Sequence, residues 1–187
     1  MNILATGRRV LLRDRVVEDI DTYLRWMNTG EWRRFDAPWA RGQEAMDART
    51  EGEYRKRLEE VVEGDLPVPR LHAMIETVDG VAVGWVNRYS RGSQKDEWCV
   101  GIDLCEDELL NQGYGTEALS LWINHLFENS DIHRLALETW SFNPRIIRVA
   151  EKVGFRSEGR LREAQHWDGA WLDKLQFGLL RPEWRSR

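Results

Sequence analysis

The residues with the clearest capacity for chemistry are Gly113-Tyr114-Gly115, with Thr116 directly behind them. Two glycines one residue apart let the backbone come close to a ligand. Ahead of them, Trp98–Leu104 is a short apolar run with strand character, and behind them Ala118, Leu119, Leu121, Trp122 and Leu126 follow helical spacing. A glycine turn opening a helix presents unpaired N–H groups and a partial positive charge, which suits a phosphate or pyrophosphate. Two common versions of this device are excluded. No G-x-G-x-x-G is present, and no Lys-Ser/Thr follows the glycines as a P-loop requires.

The elements that must position this loop are legible from pattern. Arg8–Arg13 reads as a first strand, and Val16–Met27 carries apolar residues at helical spacing, ended by Asn28-Thr29-Gly30. Glu31–Met46 is irregular and mixes Trp32, Phe35 and Trp39 with arginines, Pro38 and Gly42. A charged helix is expected from about Thr50 to Glu63. Leu71–Val78 and Val81–Tyr89 are strands joined by the hairpin signal Asp79-Gly80. A turn over residues 91–95 leads to Trp98–Leu104. After the loop and its helix come a strand at His133–Ser141, a helix at Pro144–Val153 closed by Gly154, and two strands around Asp168-Gly169. The order β-α-α-β-β-β-α-β-α-β-β gives a mixed α/β sheet, since three consecutive strands before the loop rule out a regular βαβ alternation.

Composition bounds the function classes. The 187 residues suit one domain, 1–187, with a sizeable core, and 32% charged against 42% apolar residues fits a globular chain. No apolar run is long enough to span a bilayer, and the first residues lack a signal peptide's apolar stretch, so a cytoplasmic protein without a membrane partner is expected. A net charge of −5 argues against a dedicated nucleic-acid binder. Cys99 and Cys105 would lie roughly 20 Å apart on one strand, too far for a disulfide, and no Cys/His pattern suggests a metal site. Monomer and homodimer both remain open.

The strand, loop and helix resemble the acyl-CoA signature of the GNAT superfamily of N-acetyltransferases, Gln/Arg-x-x-Gly-x-Gly/Ala, here Leu110-Asn111-Gln112-Gly113-Tyr114-Gly115. Both glycines match; Leu110 stands where Gln or Arg is usual. His133-Arg134-Leu135, Asn143 and Glu151-Lys152-Val153-Gly154-Phe155 are similar to the second half of the CoA site in the RimJ/RimL-like branch. Glu158-Gly159, Asp173 and Gly178-Leu179-Leu180 resemble its C-terminal hairpin, and Leu12-Arg13 with Glu18-Asp19 and Trp26 its beginning. The resemblance implies a mostly antiparallel sheet of about seven strands with one splayed parallel pair, Trp98–Leu104 and His133–Ser141, flanked by about four helices. It implies acetyl-CoA as co-substrate and no metal. Pantetheine would pair near Ile102 and Leu104, and pyrophosphate would rest on Gln112, Gly113, Tyr114, Gly115 and Thr116. Asn143 would contact CoA or cap its helix, and Arg148 and Lys152, one turn apart, would reach a CoA phosphate or simply be solvated.

The expected reaction is direct attack by a neutral amine on the thioester, which needs a proton acceptor and N–H donors for the oxyanion. Strand alternation puts Glu97, Cys99, Gly101 and Asp103 on one side. Relatives often carry glutamate at what looks like position Cys99, so Glu97, two residues away on the same side, ranks first as base; Glu138 is second and His72 third. Each also has a structural reading. Cys99 as an acyl carrier is disfavoured, because a small buried cysteine is common and direct transfer needs none. The tyrosine that often serves as general acid in the family corresponds here to Ala150. The resemblance places the acceptor pocket around Trp32, Phe35, Trp39 and Trp167, with Trp171 nearby. Aromatic faces flanked by Glu31, Asp36 and Asp168 suit an amine, whereas Arg33, Arg34 and Arg41 suit a peptide or an acceptor bearing an anion. Two other readings stay open: an inactive acyl-CoA-binding module, and a peptide-binding or structural protein that uses the tryptophan-rich loop.

Overall fold

The fold is taken from a computed structural model, which describes residues 2–41, 44–91 and 96–185, without the side chains of Ala40, Arg41 and Arg185. The expected contribution of Arg41 and most of the expected 91–95 turn therefore lie outside the described residues. The chain opens with a hairpin, β1 (Ile3–Thr6) and β2 (Val10–Arg13), then α1 (Asp19–Asn28), a 3-10 turn at Glu31–Arg34, α2 (Pro38–Arg41) and α3 (Ala48–Glu63). Next come β3 (His72–Thr77), β4 (Ala82–Tyr89), β5 (Glu97–Leu104) and α4 (Tyr114–Glu128). The last part is β6 (Arg134–Trp140), α5 (Pro144–Val153), β7 (Arg156–Trp167), β8 (Ala170–Leu180) and α6 (Arg181–Arg185).

The strands form one eight-stranded sheet in the order β1-β2-β3-β4-β5-β6-β8-β7. Every neighbouring pair is antiparallel except β5 and β6. The strand not anticipated from sequence is β1, whose four residues are too few to show a period; its identity comes from pairing with β2.

The sheet separates two apolar clusters. On one face Val10, Leu12, Ile75, Val100, Leu135 and Leu137 meet Leu119, Trp122, Ile123 and Leu126 of α4 and Val153 of α5. On the other, Met74 and Trp85 meet Ile20, Leu24 and Trp26 of α1 and Leu58 of α3. Helix α1 is pinned by a buried ion pair: Arg13 donates to both carboxylate oxygens of Asp19, at 2.6 and 2.7 Å, and to Glu76 at 2.6 Å. Removing one partner from such a pair costs about 3–5 kcal/mol, because the other charge stays buried. Mostly polar α3 is capped by Asp47, whose side chain accepts from the Thr50 N–H at 2.7 Å.

Two features of the sheet prepare a site. The β5–β6 pairing holds only for Glu97 with Arg134, Trp98 with Leu135 and Cys99 with Ala136. Beyond that the strands part, and among the described residues the edge of β5 from Val100 to Leu104 has no strand partner on that side. The register of β3 on β4 also shifts next to Gly84. A Cβ on Gly84 would stand 2.0 Å from the Asp103 carbonyl oxygen, so glycine lets β4 press against the far end of β5.

Two imidazoles, His125 buried and His72 half-buried, make stability pH-dependent. Burial, then the nearby Arg15, lowers the His72 pKa; burial, then Arg70, lowers that of His125, whose Nε2 is buried without a hydrogen-bond partner. A folded pKa below the unfolded value, about 6.5, means that the unfolded chain binds protons first as pH falls. Stability is then full above that value and declines as the pH drops below it. We expect the melting temperature to fall between pH 7 and pH 5, and to fall less in His72→Gln/His125→Gln. Equal slopes in the two proteins would remove the histidines as the cause.

Candidate active site

The parting of β5 and β6 opens a cleft of about 670 Å³. Residues from both faces of the sheet line it: Val100, Leu137 and Thr139 from the α4/α5 side, and Gly101, Asp103 and Glu138 from the opposite side.

One end is built by the glycine loop. Gly113 takes the left-handed conformation, φ +94°, as the N-cap of α4. Asn111 before it also has positive φ, +62°, a conformation asparagine tolerates better than most residues. A Cβ on Gly115 would sit 3.3 Å from Leu104 Cδ1, so this glycine brings the first turn of α4 close onto the end of β5. The loop is braced from the β1–β2 hairpin. Arg9 Nη1 donates to the Gln112 carbonyl, while the backbone N–H groups of Arg8 and Arg9 donate to Glu117 on the first turn of α4, the latter at 2.9 Å. Helix α5 closes the other wall. Asn143 caps it, its side chain accepting from the Ile146 N–H at 3.3 Å with Pro144 in the first turn, and Asn143 also lines the cleft.

Of the cofactor residues expected from sequence, Ile102, Leu104, Gly113, Gly115, Thr116, Asn143 and Arg148 line this one cleft. Gln112 and Tyr114 do not. The Gln112 amide turns back to the Glu108 carbonyl at 2.6 Å, and Tyr114 packs against the core.

At the centre the two carboxylates differ. Glu138 lines the cleft with its side chain 11% exposed, and it accepts from Lys174 at 2.8 Å, Gln176 at 3.0 Å and Arg91. Burial pushes this carboxyl up, but the bonds from Lys174, Gln176 and Arg91 outweigh that and hold it below the usual carboxylate range. Glu97 is not among the lining residues; it holds Arg134 at 2.5 Å, and Arg134 also pairs with Glu158. His72 is not at the cleft either. Tyr89 lines it, cross-strand from Cys99. Desolvation pushes the Tyr89 phenol up to about 12, with Cys99 and Glu138 adding, so it stays a neutral hydrogen-bonding group. Cys99 is 1% exposed and burial raises its thiol pKa, a poor setting for an acyl carrier.

The far end is aromatic. Trp32 and Phe35 line it together with Trp140. Trp32 is chiefly a core residue, 5% exposed, with its indole N–H bonded to the Trp26 and Thr29 carbonyls. Trp39 and Trp167 stand behind the wall: Trp39 packs edge-on against Trp140 at 4.7 Å and against Trp167 at 5.9 Å. Trp171 is exposed near the tip of the β7–β8 hairpin. Glu31 is paired with Arg145 at 2.8 Å, and Arg33 is spent on the Asn28 and Glu44 carbonyls. Sequence reasoning did not single out Asn87, Tyr89, Arg145 or Lys174. Asn87, Tyr89 and Lys174 reach the cleft through register between β4, β5, β6 and β8, and Arg145 through the seating of α5, and no local pattern encodes either.

Comparison with known proteins identifies the family and the fold. The family model described as an acetyltransferase (GNAT) domain matches residues 9–156. The uncharacterized N-acetyltransferase YnaD of Bacillus subtilis is 28% identical over 74 residues, spanning 40% of this chain and 44% of that relative. Among solved structures, the RimL ribosomal L7/L12 α-N-protein acetyltransferase in complex with coenzyme A superposes with TM-score 0.72 at 16% identity, covering 97% of this chain and 99% of the other. The spermidine N-acetyltransferase from Vibrio cholerae in complex with CoA and spermine gives TM-score 0.72 at 16% identity, over 94% and 98% of the two chains. No helix among the described residues is long and apolar enough to cross a membrane. The matched family model covers most of the sheet and both walls of the cleft, and the chain belongs to the GNAT acetyltransferase family.

Proposed function

We propose that this chain transfers an acetyl group from acetyl-CoA to a primary amine, by direct attack within a ternary complex. The observation that carries this reading is the parting of β5 and β6 after Cys99 and Ala136. It joins a glycine-lined phosphate cradle to an aromatic-lined chamber through one opening.

In this reading pyrophosphate rests on the N–H groups of Gln112–Thr116, where the helix dipole favours negative charge. Pantetheine amides complete the open edge of β5 near Ile102 and Leu104, as an added strand would. The thioester then lies at the parting, its carbonyl oxygen accepting from a β5 N–H. The amine enters from the side of Trp32, Phe35 and Trp140. Its lone pair forms the N–C bond, the oxyanion is held by the backbone donor, and collapse breaks the C–S bond to release CoA thiolate. The nitrogen's proton passes to solvent in the open cleft. Glu138, held by three donors with a lowered pKa, is a weak proton acceptor at neutral pH. Glu97 is engaged by Arg134 away from the cleft. Neither is therefore retained as the base. The fold is shared with an enzyme named for a protein α-amino group and with one named for spermidine; a small amine and a protein N-terminus both fit the reading.

The test is acetyl-CoA-dependent thiol release over polyamines, aminoglycosides, amino acids and short peptides. Release with at least one amine is expected, at a rate that rises with pH as the amine deprotonates, in wild type and in Glu97→Gln and Glu138→Gln alike. Loss of the rising limb in one variant would make that carboxylate the base. Tight acetyl-CoA binding without release from any amine would favour an inactive binding module, the reading supported by the burial of Ala150 at the family's tyrosine position and by the engagement of both carboxylates.

A further inference from the structure

Asn87 lines the cleft, and the reaction described above leaves it unused. It stands on β4 between His72 of β3 and Gly101 of β5, and its backbone carbonyl accepts from the Trp122 indole N–H at 3.0 Å, so its backbone is held in place. Trp85, two residues earlier, packs in the α1/α3 cluster with its ring 5.1 Å from that of Trp32. Alternation along β4 therefore turns the Asn87 side chain to the face of the aromatic chamber. Gly101 lies two residues past Cys99, whose pairing with Ala136 is the last before the strands part. A Cβ on Gly101 would stand 2.7 Å from Asn87 Oδ1, so glycine lets the amide lie over β5 at the parting.

The amide is uncommitted. Its Oδ1 is buried without a hydrogen-bond partner, and its Nδ2 donates to no protein group among the described residues. The fold gains no hydrogen bond from this side chain, and a buried acceptor left unmade costs stability. With the carbonyl end against Gly101, the amino end is the one left to the cleft. A donor there cannot serve the attacking nitrogen, whose lone pair must stay free to form the N–C bond. It can serve the thioester oxygen, which takes up negative charge as the C=O π pair moves onto it. We propose that Asn87 Nδ2 is a second oxyanion donor, acting beside the backbone N–H of β5. The inference rests on the acetyl-transfer reading of the cleft. A neutral donor on a fixed backbone suits the task, because its bond strengthens as the charge develops.

Infrared difference spectra of bound acetyl-CoA, isotope-labelled at the acetyl carbonyl, test the contact without an acceptor. The carbonyl stretch should lie lower on wild type than on Asn87→Ala. Asn87→Asp, which keeps the shape but replaces the donor by a carboxylate, should lose the lowering as well. With an amine found by thiol release, kcat should fall about 100- to 1000-fold in both variants, the range for loss of one oxyanion donor. Acetyl-CoA affinity and the KM for the amine should stay within a few-fold, and Asn87→Ala should melt close to wild type. The same carbonyl stretch in all three proteins would overturn the proposal, and so would full turnover in Asn87→Asp. A raised KM at unchanged kcat would also overturn it, making Asn87 a contact of the amine. Wild type that shows the lowered stretch yet releases thiol with no amine would overturn the transfer reading while upholding the contact, and wild type that binds no acetyl-CoA would overturn the acyl-CoA reading itself.

Discussion

Gly113→Asp should lower CoA affinity at least 100-fold while the protein stays folded. The reasoning separates backbone from charge. Gly113 has φ +94°, so any side chain there carries strain of about 1–2 kcal/mol. That strain alone is small beside the stability of a domain this size, about 5–15 kcal/mol. The aspartate also gains two partners: the unpaired N–H groups of α4's first turn and the Arg9 guanidinium, whose Nη1 stands 3.1 Å from the position of a Cβ. A carboxylate at a helix N-terminus is worth about 0.3–1 kcal/mol. The same carboxylate then occupies and repels the place of the pyrophosphate. A hundredfold loss corresponds to about 2.7 kcal/mol, within reach of a like-charge contact in a partly buried site combined with the loss of the space and N–H donors that the aspartate takes up. Gly113→Ala carries the strain without the charge and should bind CoA within a few-fold of wild type. Calorimetry of the three proteins, with their melting curves, decides. A folded Gly113→Asp with unchanged CoA affinity would sink the assignment of the loop.

Gly84→Ala should be the most damaging single methyl in the sheet, at about 3 kcal/mol. The Cβ would lie 2.0 Å from the Asp103 carbonyl oxygen and 3.0 Å from Leu104 Cα. Both are backbone atoms, so no rotamer change relieves the clash. Overpacking typically costs 1–3 kcal/mol, more when the neighbours cannot move. About 3 kcal/mol in a chain of this length lowers the melting temperature by roughly 6–12 °C. What does yield is β5 at Asp103–Leu104, which lines the cleft, so residual CoA binding should weaken together with stability. Gly52→Ala is the matched control. Nothing lies within 4 Å of its Cβ position on the exposed face of α3, and replacing glycine in a helix interior should stabilise by roughly 0.5–1 kcal/mol. A Gly84→Ala protein that melts with wild type would show that β4 and β5 are not pressed together there.

Much of the fold is determined locally, and those parts can be read in the sequence. Helix α5 runs Pro144–Val153 as expected, because an Asn-Pro start and a Gly154 stop specify both ends within ten residues. The β3–β4 hairpin follows from Asp79-Gly80 and the flanking apolar alternation. The glycine loop is legible for the same reason: its chemistry resides in backbone conformation, and only glycine supplies that conformation cheaply. The tryptophans show the limit. Trp32, Phe35, Trp39 and Trp167 share one aromatic class, and composition cannot tell a pocket wall from the packing behind it; the tertiary arrangement leaves Trp32 and Phe35 at the cleft, turns Trp39 against Trp140 and packs Trp167 on Trp39.

The carboxylates show it more sharply. Alternation along β5 assigns the side on which Glu97 projects, but only pairing with β6 sets Arg134 opposite it, and only β8 brings Lys174 and Gln176 onto Glu138. The availability of a carboxylate for proton transfer depends on its partners. Those partners come from strands distant in sequence, whose register is fixed by burial of the whole sheet. The sequence by itself determined a glycine-built anion cradle, a mixed sheet and two helix ends. The tertiary structure alone decided where the parallel pair parts, which charges are neutralised and that the Asn87 amide lies over Gly101 with its Oδ1 unpartnered, because each of these is a relation between segments that no single segment encodes.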